Sequence, residues 1–160
     1  MLPDPKTGWC ILKDKGGHAG NDHEHAVIRR WTAPRDLVLS VTGRLKHPSD
    51  QGDGVQSRIV SSRTGTAGEW VAQKSETDTN VARLEVKRGD TIDFVTDCRS
   101  NSSHDSFEWT VTLRAEQSSD GGGQQWSSAD GFRGPLPVPL GPWERYAQVL
   151  LLSNELVCVD

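Results

Sequence analysis

Phe107-Glu-Trp-Thr-Val-Thr-Leu113 alternates apolar and polar residues without a break. A β-strand turns successive side chains to opposite faces. Phe107, Trp109, Val111 and Leu113 therefore share one face, and Glu108, Thr110 and Thr112 share the other. A period of two marks a half-buried strand. Working outward, Leu37, Leu39 and Val41 repeat it, as do Ala82, Leu84 and Val86. Short β-branched or aromatic runs stand at 26–31, 37–44, 55–61, 70–74, 81–86, 91–97 and 107–113. Between them lie turn residues: Pro34-Arg-Asp36, Pro48-Ser-Asp-Gln-Gly-Asp-Gly54, Thr64-Gly-Thr-Ala-Gly68 and Arg88-Gly-Asp90. With no helical period between these runs, the expected core is an all-β antiparallel sandwich or jelly roll of about seven to eight strands.

Composition agrees. The 160 residues are 34% hydrophobic, with 16 glycines and 8 prolines, which suits many short strands and turns better than a helical bundle. Mean hydropathy is −0.59, lean for a two-layer globule. Net charge is −4 with both signs interspersed, so the basic stripe that a nucleic-acid backbone requires is missing. No apolar run approaches the roughly 18 residues of a membrane span. Cys10, Cys98 and Cys158 are odd in number and contain no Cys-x-x-Cys pair; a Cys10–Cys98 bridge and free buried thiols both remain open. Met1-Leu-Pro-Asp-Pro-Lys6 has no basic segment followed by an apolar one, so either the chain is cytoplasmic or Met1 is not the natural start.

Four regions are expected along the chain. Residues 1–25 form an irregular lead-in that packs on the sandwich at 26–115. Residues 116–141 read as a linker, first Gly/Ser-rich and then carrying Pro135, Pro137, Pro139 and Pro142. Pro142 suits the first turn of a helix. Trp143, Tyr146, Ala147, Leu150 and Leu151 then recur at helical spacing, predicting an amphipathic helix over 143–154 within a C-terminal region 142–160. Its apolar face calls for a docking partner, such as a neighbouring helical domain.

Several segments carry a resemblance. They are Gly16-Gly-His-Ala-Gly-Asn-Asp22, His25-Ala-Val-Ile-Arg-Arg-Trp-Thr-Ala-Pro34, Gly52-Asp-Gly-Val55, Arg58-Ile-Val-Ser-Ser-Arg63 and Gly89-Asp-Thr-Ile-Asp-Phe-Val-Thr-Asp-Cys98. Pro142-Trp-Glu-Arg-Tyr-Ala-Gln-Val-Leu-Leu-Leu-Ser-Asn-Glu155 closes the series. In this order they resemble the C-terminal part of the large planctomycete cytochrome-C-associated proteins, over nearly the whole chain. The resemblance implies a carbohydrate-binding-like sandwich followed by the last helix of a domain of unknown function. It also implies an exported, periplasmic or cell-surface parent protein and a chain that is a fragment or late start of it. Cys-x-x-Cys-His is absent, so no haem is expected on these residues.

Six tryptophans in 160 residues suggest a glycan platform, since sugar rings stack their C–H faces on aromatic rings. Trp109 and Trp31 are expected inside and Trp143 on the helix seam, leaving Trp9, Trp70 and Trp126 as candidates. Trp70, beside Glu69, Gln73 and Lys74, is the first choice. Arg58 and Arg63 would reach an anionic polysaccharide through bidentate bonds, or else pair with carboxylates such as Asp93, Asp97 or Glu85 across the sheet. For metals, His18, His23 and His25 lack the helix of a His-Glu-x-x-His zinc site and read as a solvated loop. A structural calcium ion is the stronger expectation, with Asp22 as first candidate and Asn21, Asp97 and Asp105 as further oxygen donors on irregular loops. No Gly-x-Ser-x-Gly elbow occurs, so catalysis is not expected. The leading expectation is a non-catalytic polysaccharide-binding module; the alternatives are a structural brace for an adjacent helical domain and, more remotely, a small hydrolase.

Overall fold

The computed structural model describes residues 3–116, 124–133, 141–143 and 146–147. Among these, β1 (Ile11–Lys13), β2 (Gly16–His18), β3 (Val27–Thr32), β4 (Leu37–His47), β5 (Val55–Ser61) and β6 (Gly65–Ala72) come first. Then follow β7 (Ser75–Asp78), β8 (Val81–Val86), β9 (Thr91–Cys98), β10 (Ser106–Ala115) and β11 (Gln125–Ser127). One antiparallel sheet runs β1-β2-β10-β4-β7, with β8 also paired to β4 and β11 to β10. The other runs β3-β9-β5-β6.

The inward faces follow the alternation in the sequence. Phe107, Trp109, Val111 and Leu113 of β10 are buried while Glu108, Thr110 and Arg114 stay outside. Leu39, Val41 and Leu45 of β4 join them, and Val55, Ile59, Ile92 and Phe94 face them from the second sheet. The Phe94 and Trp109 rings meet edge-on at 5.7 Å across the gap, which makes the two sheets a sandwich. Each such apolar side chain contributes about 1.5–3 kcal/mol by leaving water. Two polar pairs lie within this core: Trp109 Nε1 donates to Thr79 Oγ1 at 2.9 Å, and Ser57 and Thr96 share a hydroxyl bond at 2.8 Å.

Three stretches differ from expectation. The expected turn Thr64–Gly68 is strand from Gly65 on, because β6 pairs along the whole of β5 past a register shift at Ile59 and Val60, and the strand expected over 70–74 ends at Ala72. The lead-in 1–25 is not wholly irregular, because β1 and β2 extend the first sheet beyond β10. Gly16 lies so close to β10 that a Cβ there would overlap the Phe107 carbonyl oxygen, so two glycines act as strand residues where their propensity argues against it. Nor is 116–141 linker throughout: β11 pairs Thr112–Arg114 of β10 with Ser127–Gln125. Trp126 is buried there against Trp31, with ring centroids 5.2 Å apart. One large apolar side chain outweighs the polar composition around it. The expected helix over 143–154 lies largely outside the described residues, within which Trp143 and Tyr146 are exposed.

Candidate functional site

At the end of the sandwich where β4 and β9 finish and β7 and β10 begin, loops 19–26, 48–54, 73–74 and 99–105 meet. Side chains stitch them together. Asp53 accepts from Ser100 N at 2.7 Å and from Asn101 Nδ2 at 3.1 Å, and its carbonyl accepts from Arg99 Nη1 at 2.8 Å. Gln73 Nε2 donates to Gly52 O at 2.9 Å. Buried His47 donates from Nε2 to His104 O at 2.9 Å and accepts at Nδ1 from Lys74 N at 3.3 Å, which defines its neutral tautomer.

Trp9 stands at the rim of this end, 46% exposed. A closed turn carries it: Asp4 N and Gly8 N each donate to the other residue's carbonyl at 2.8 Å, and Asp4 Oδ1 accepts from Lys6 N and Thr7 N at 2.9 Å. Gly8 has φ +65 and packs against the Asn21 amide, so only glycine fits the position. The Trp9 ring tilts against His18, centroids 6.4 Å apart. His18 donates from Nδ1 to Ala19 O at 2.7 Å, since a carbonyl oxygen only accepts. Trp9 and His18 line an open cleft whose other wall is Asn101, Ser102, Ser103, His104 and Ser106. The lining combines one aromatic face with hydroxyl, amide and imidazole groups and contains no Arg, Lys or carboxylate.

The residues singled out for ligand binding do not form one site. Trp70 pairs across from buried Ser57 and so faces inward, half-buried on the core, with its ring where a Gly68 side chain would be. Arg58, paired across from Glu69, faces outward from the same sheet. Its Nη2 lies 2.6 Å from Asp97 Oδ2, while Arg63 Nε lies 2.6 Å from Asp90 Oδ2, so both guanidiniums hold carboxylates of this chain. Trp126 is buried; of the three candidate tryptophans, Trp9 is the exposed one.

The proposed calcium donors all lie at the loop end, in different states. Asp22 caps the turn His23–His25: its Oδ1 accepts from Glu24 N at 2.9 Å and His25 N at 3.1 Å, and His25 Nδ1 lies 2.6 Å away. The His25 bond holds the Asp22 carboxyl below its ordinary value. Asn21 Oδ1 accepts from Ser102 Oγ at 3.3 Å. Asp97 is only 1% exposed although it points outward from β9, because the turn His23–His25 and Arg58 cover it, with His23 Nδ1 3.5 Å from its Oδ1. Burial raises its pKa, against the lowering pull of Arg58. Asp105 is fully buried, and neither carboxylate oxygen has a hydrogen-bond partner. Burial, reinforced by Asp53, pushes it up to about 7. Cys10 and Cys98 are free thiols, Cys10 Sγ donating to His25 O at 3.4 Å. Among the described residues no three His, Cys, Asp or Glu side chains gather closely enough to hold a metal by themselves.

No protein-family model and no curated protein matches the chain. Solved structures to which the chain is similar include the following. The PA14 sugar-binding domain from RTX adhesin superposes with TM-score 0.40 at 10% identity, over 64% of this chain and 50% of that one. The Podospora anserina GH26-CBM35 β-(1,4)-mannanase gives 0.41 at 12%, over 72% of this chain and 26% of that one. A ruminal GH26 endo-β-1,4-mannanase gives 0.37 at 12% identity, over 75% of this chain and 21% of that one. The chain thus spans half of the first structure and about a quarter or less of the other two.

Proposed function

We propose that the chain is a non-catalytic module that binds a neutral polysaccharide in the cleft between Trp9 and residues 101–106. The observation that carries this reading is an exposed tryptophan held on a closed turn, beside a wall of serine, asparagine and histidine groups. A pyranose ring would lay its C–H face on the indole and exchange hydroxyl bonds with Asn101, Ser102 and the free Nε2 of His18. Arg58 and Arg63 are already paired and the cleft lining is uncharged, which favours a neutral glycan over a sulfated or uronic one. The exported, multidomain setting implied by the resemblance to planctomycete cytochrome-C-associated proteins belongs to the same proposal. A second reading, a brace for a neighbouring domain, draws on Ile28 and Val71, which are 51% and 44% exposed on the outer face of the four-stranded sheet.

Retention of the purified chain on a panel of insoluble and gel-embedded polysaccharides tests the first reading. Wild type should be held by one class of neutral glycan, and Trp9→Ala should lose retention while melting within a few degrees of wild type, because an exposed side chain changes stability by only about 0.5 kcal/mol. Trp70→Ala should lower the melting temperature instead. Failure of every glycan to retain the wild type, or full retention of Trp9→Ala, would move the assignment to the brace.

A further inference from the structure

Asp105 is an anomaly that the glycan cleft does not use. It is fully buried, and both carboxylate oxygens lack donors. An isolated carboxylate in such a place costs several kcal/mol. Protonation would remove the charge but leave an O–H donor and an acceptor equally unmet. The surroundings add to the problem. Asp53 acts on Asp105, and Asp105, Asp97 and Asp22 all act on the neighbouring Cys98 thiol, so four carboxylates share this end of the sandwich. Three of them are compensated: Asp22 by His25, Asp97 by Arg58 and His23, and Asp53 by the Ser100 and Asn101 donors. Asp105 has no such partner.

A bound cation resolves both deficits at once, cancelling the charge and coordinating the bare oxygens. The available chemistry selects the ion. Three imidazoles are committed elsewhere: His25 to Asp22, His23 to Asp97, and His47 to His104 and Lys74. No trio of side chains gathers to suit a transition metal among the described residues. What remains is oxygen: the bare Asp105 carboxylate, the lone pairs of Asp53 that Ser100 and Asn101 do not take, and the main chain of two loops. Ala19 N donates to Asp105 O at 3.3 Å, which brings loop 19–22 alongside, and Gly52 packs against Ser103 O, which brings loop 48–54. Calcium accepts six to eight such oxygens in irregular geometry, with main-chain carbonyls and waters among them.

We propose that Asp105 is the buried anchor of a calcium site at this loop end, completed by Asp53 and by main-chain and water oxygens of loops 19–22 and 48–54. The site stands independently of the glycan reading, and its test needs no glycan. The full chain is stripped with EDTA, dialysed and titrated calorimetrically with calcium chloride, and its thermal unfolding is followed in calcium, in magnesium and in EDTA. One calcium ion should bind per chain and raise the melting temperature by several degrees, while magnesium leaves it near the EDTA value. Asp105→Asn should weaken uptake by about tenfold or more and abolish the calcium-dependent shift. In EDTA at about pH 8 the same variant should melt at or above wild type, because the amide replaces a buried carboxylate that is ionised above its pKa of about 7. If Asp105→Asn fails to fold, Asp53→Asn provides the second variant and should weaken binding severalfold. No heat of calcium binding to the wild type, with identical melting in calcium and EDTA, would overturn the proposal and leave Asp105 as a buried carboxylic acid.

Discussion

Asp97 and Asp105 show how differently one residue type behaves a few ångströms from water. Asp97 leans on Arg58, so Arg58→Ala strands a carboxylate that is 1% exposed. Chemical denaturation should find the variant destabilised by about 3 kcal/mol at neutral pH, and by less in acid, where a protonated Asp97 needs no counter-charge. Asp105 has no partner to lose. In calcium-free buffer its folded pKa of about 7 exceeds the ordinary 3.8, so the native state holds a proton that the unfolded chain has released. That stability is complete below the unfolded value and disappears as pH rises through about 7. Wild-type melting in EDTA should therefore fall across this window, and the Asp105→Asn profile should be flatter. Neither behaviour is legible in the sequence, which presents both residues as ordinary loop or strand aspartates. Exposure of the tryptophans was legible only in part. Trp9, Trp70 and Trp126 stood as equals, and polar neighbours in sequence favoured Trp70. Alternation along β6 sets Trp70 and Ala72 on the inner face and Glu69 and Val71 on the outer, so neighbours in sequence are not neighbours in space.

Most strands of six or more residues follow the sequence pattern closely: β5 and β8 span the expected runs 55–61 and 81–86, and β3, β4, β9 and β10 differ only at their ends, whereas β6 takes in Gly65–Gly68, expected as a turn. The three- and four-residue strands β1, β2, β7 and β11 were not legible, because a period of two cannot be established over so few residues. Their conformation comes from the edges they join. β11 illustrates the point. It rests on Trp126 and on Ser128, whose Oγ accepts from Val111 N at 3.0 Å and whose carbonyl accepts from Arg29 at 2.8 Å. Trp126→Ala should cost about 3 kcal/mol, as other large aromatic deletions from cores do, with amides of 125–127 losing hydrogen-exchange protection before those of β4.

Across the molecule, charge is dispersed and largely paired on the outer face of the four-stranded sheet, where Arg30 grips Asp93 through two bonds of 2.7 Å. The cleft proposed for a glycan, in contrast, is lined by no Arg, Lys or carboxylate. Retention of a neutral polysaccharide should therefore change little between about 0.05 and 0.5 M salt, whereas recognition of an acidic glycan would weaken as screening shortens the Debye length. The tilted pair of Trp31 and Trp126, one ring from each sheet, has an optical consequence. Two indoles at 5.2 Å and 61° couple their electronic transitions, and a coupled pair of fixed handedness yields a bisignate circular dichroism band. The amplitude of that couplet follows the docking of β11 against β3, so β11 can be watched leaving the sandwich without any label.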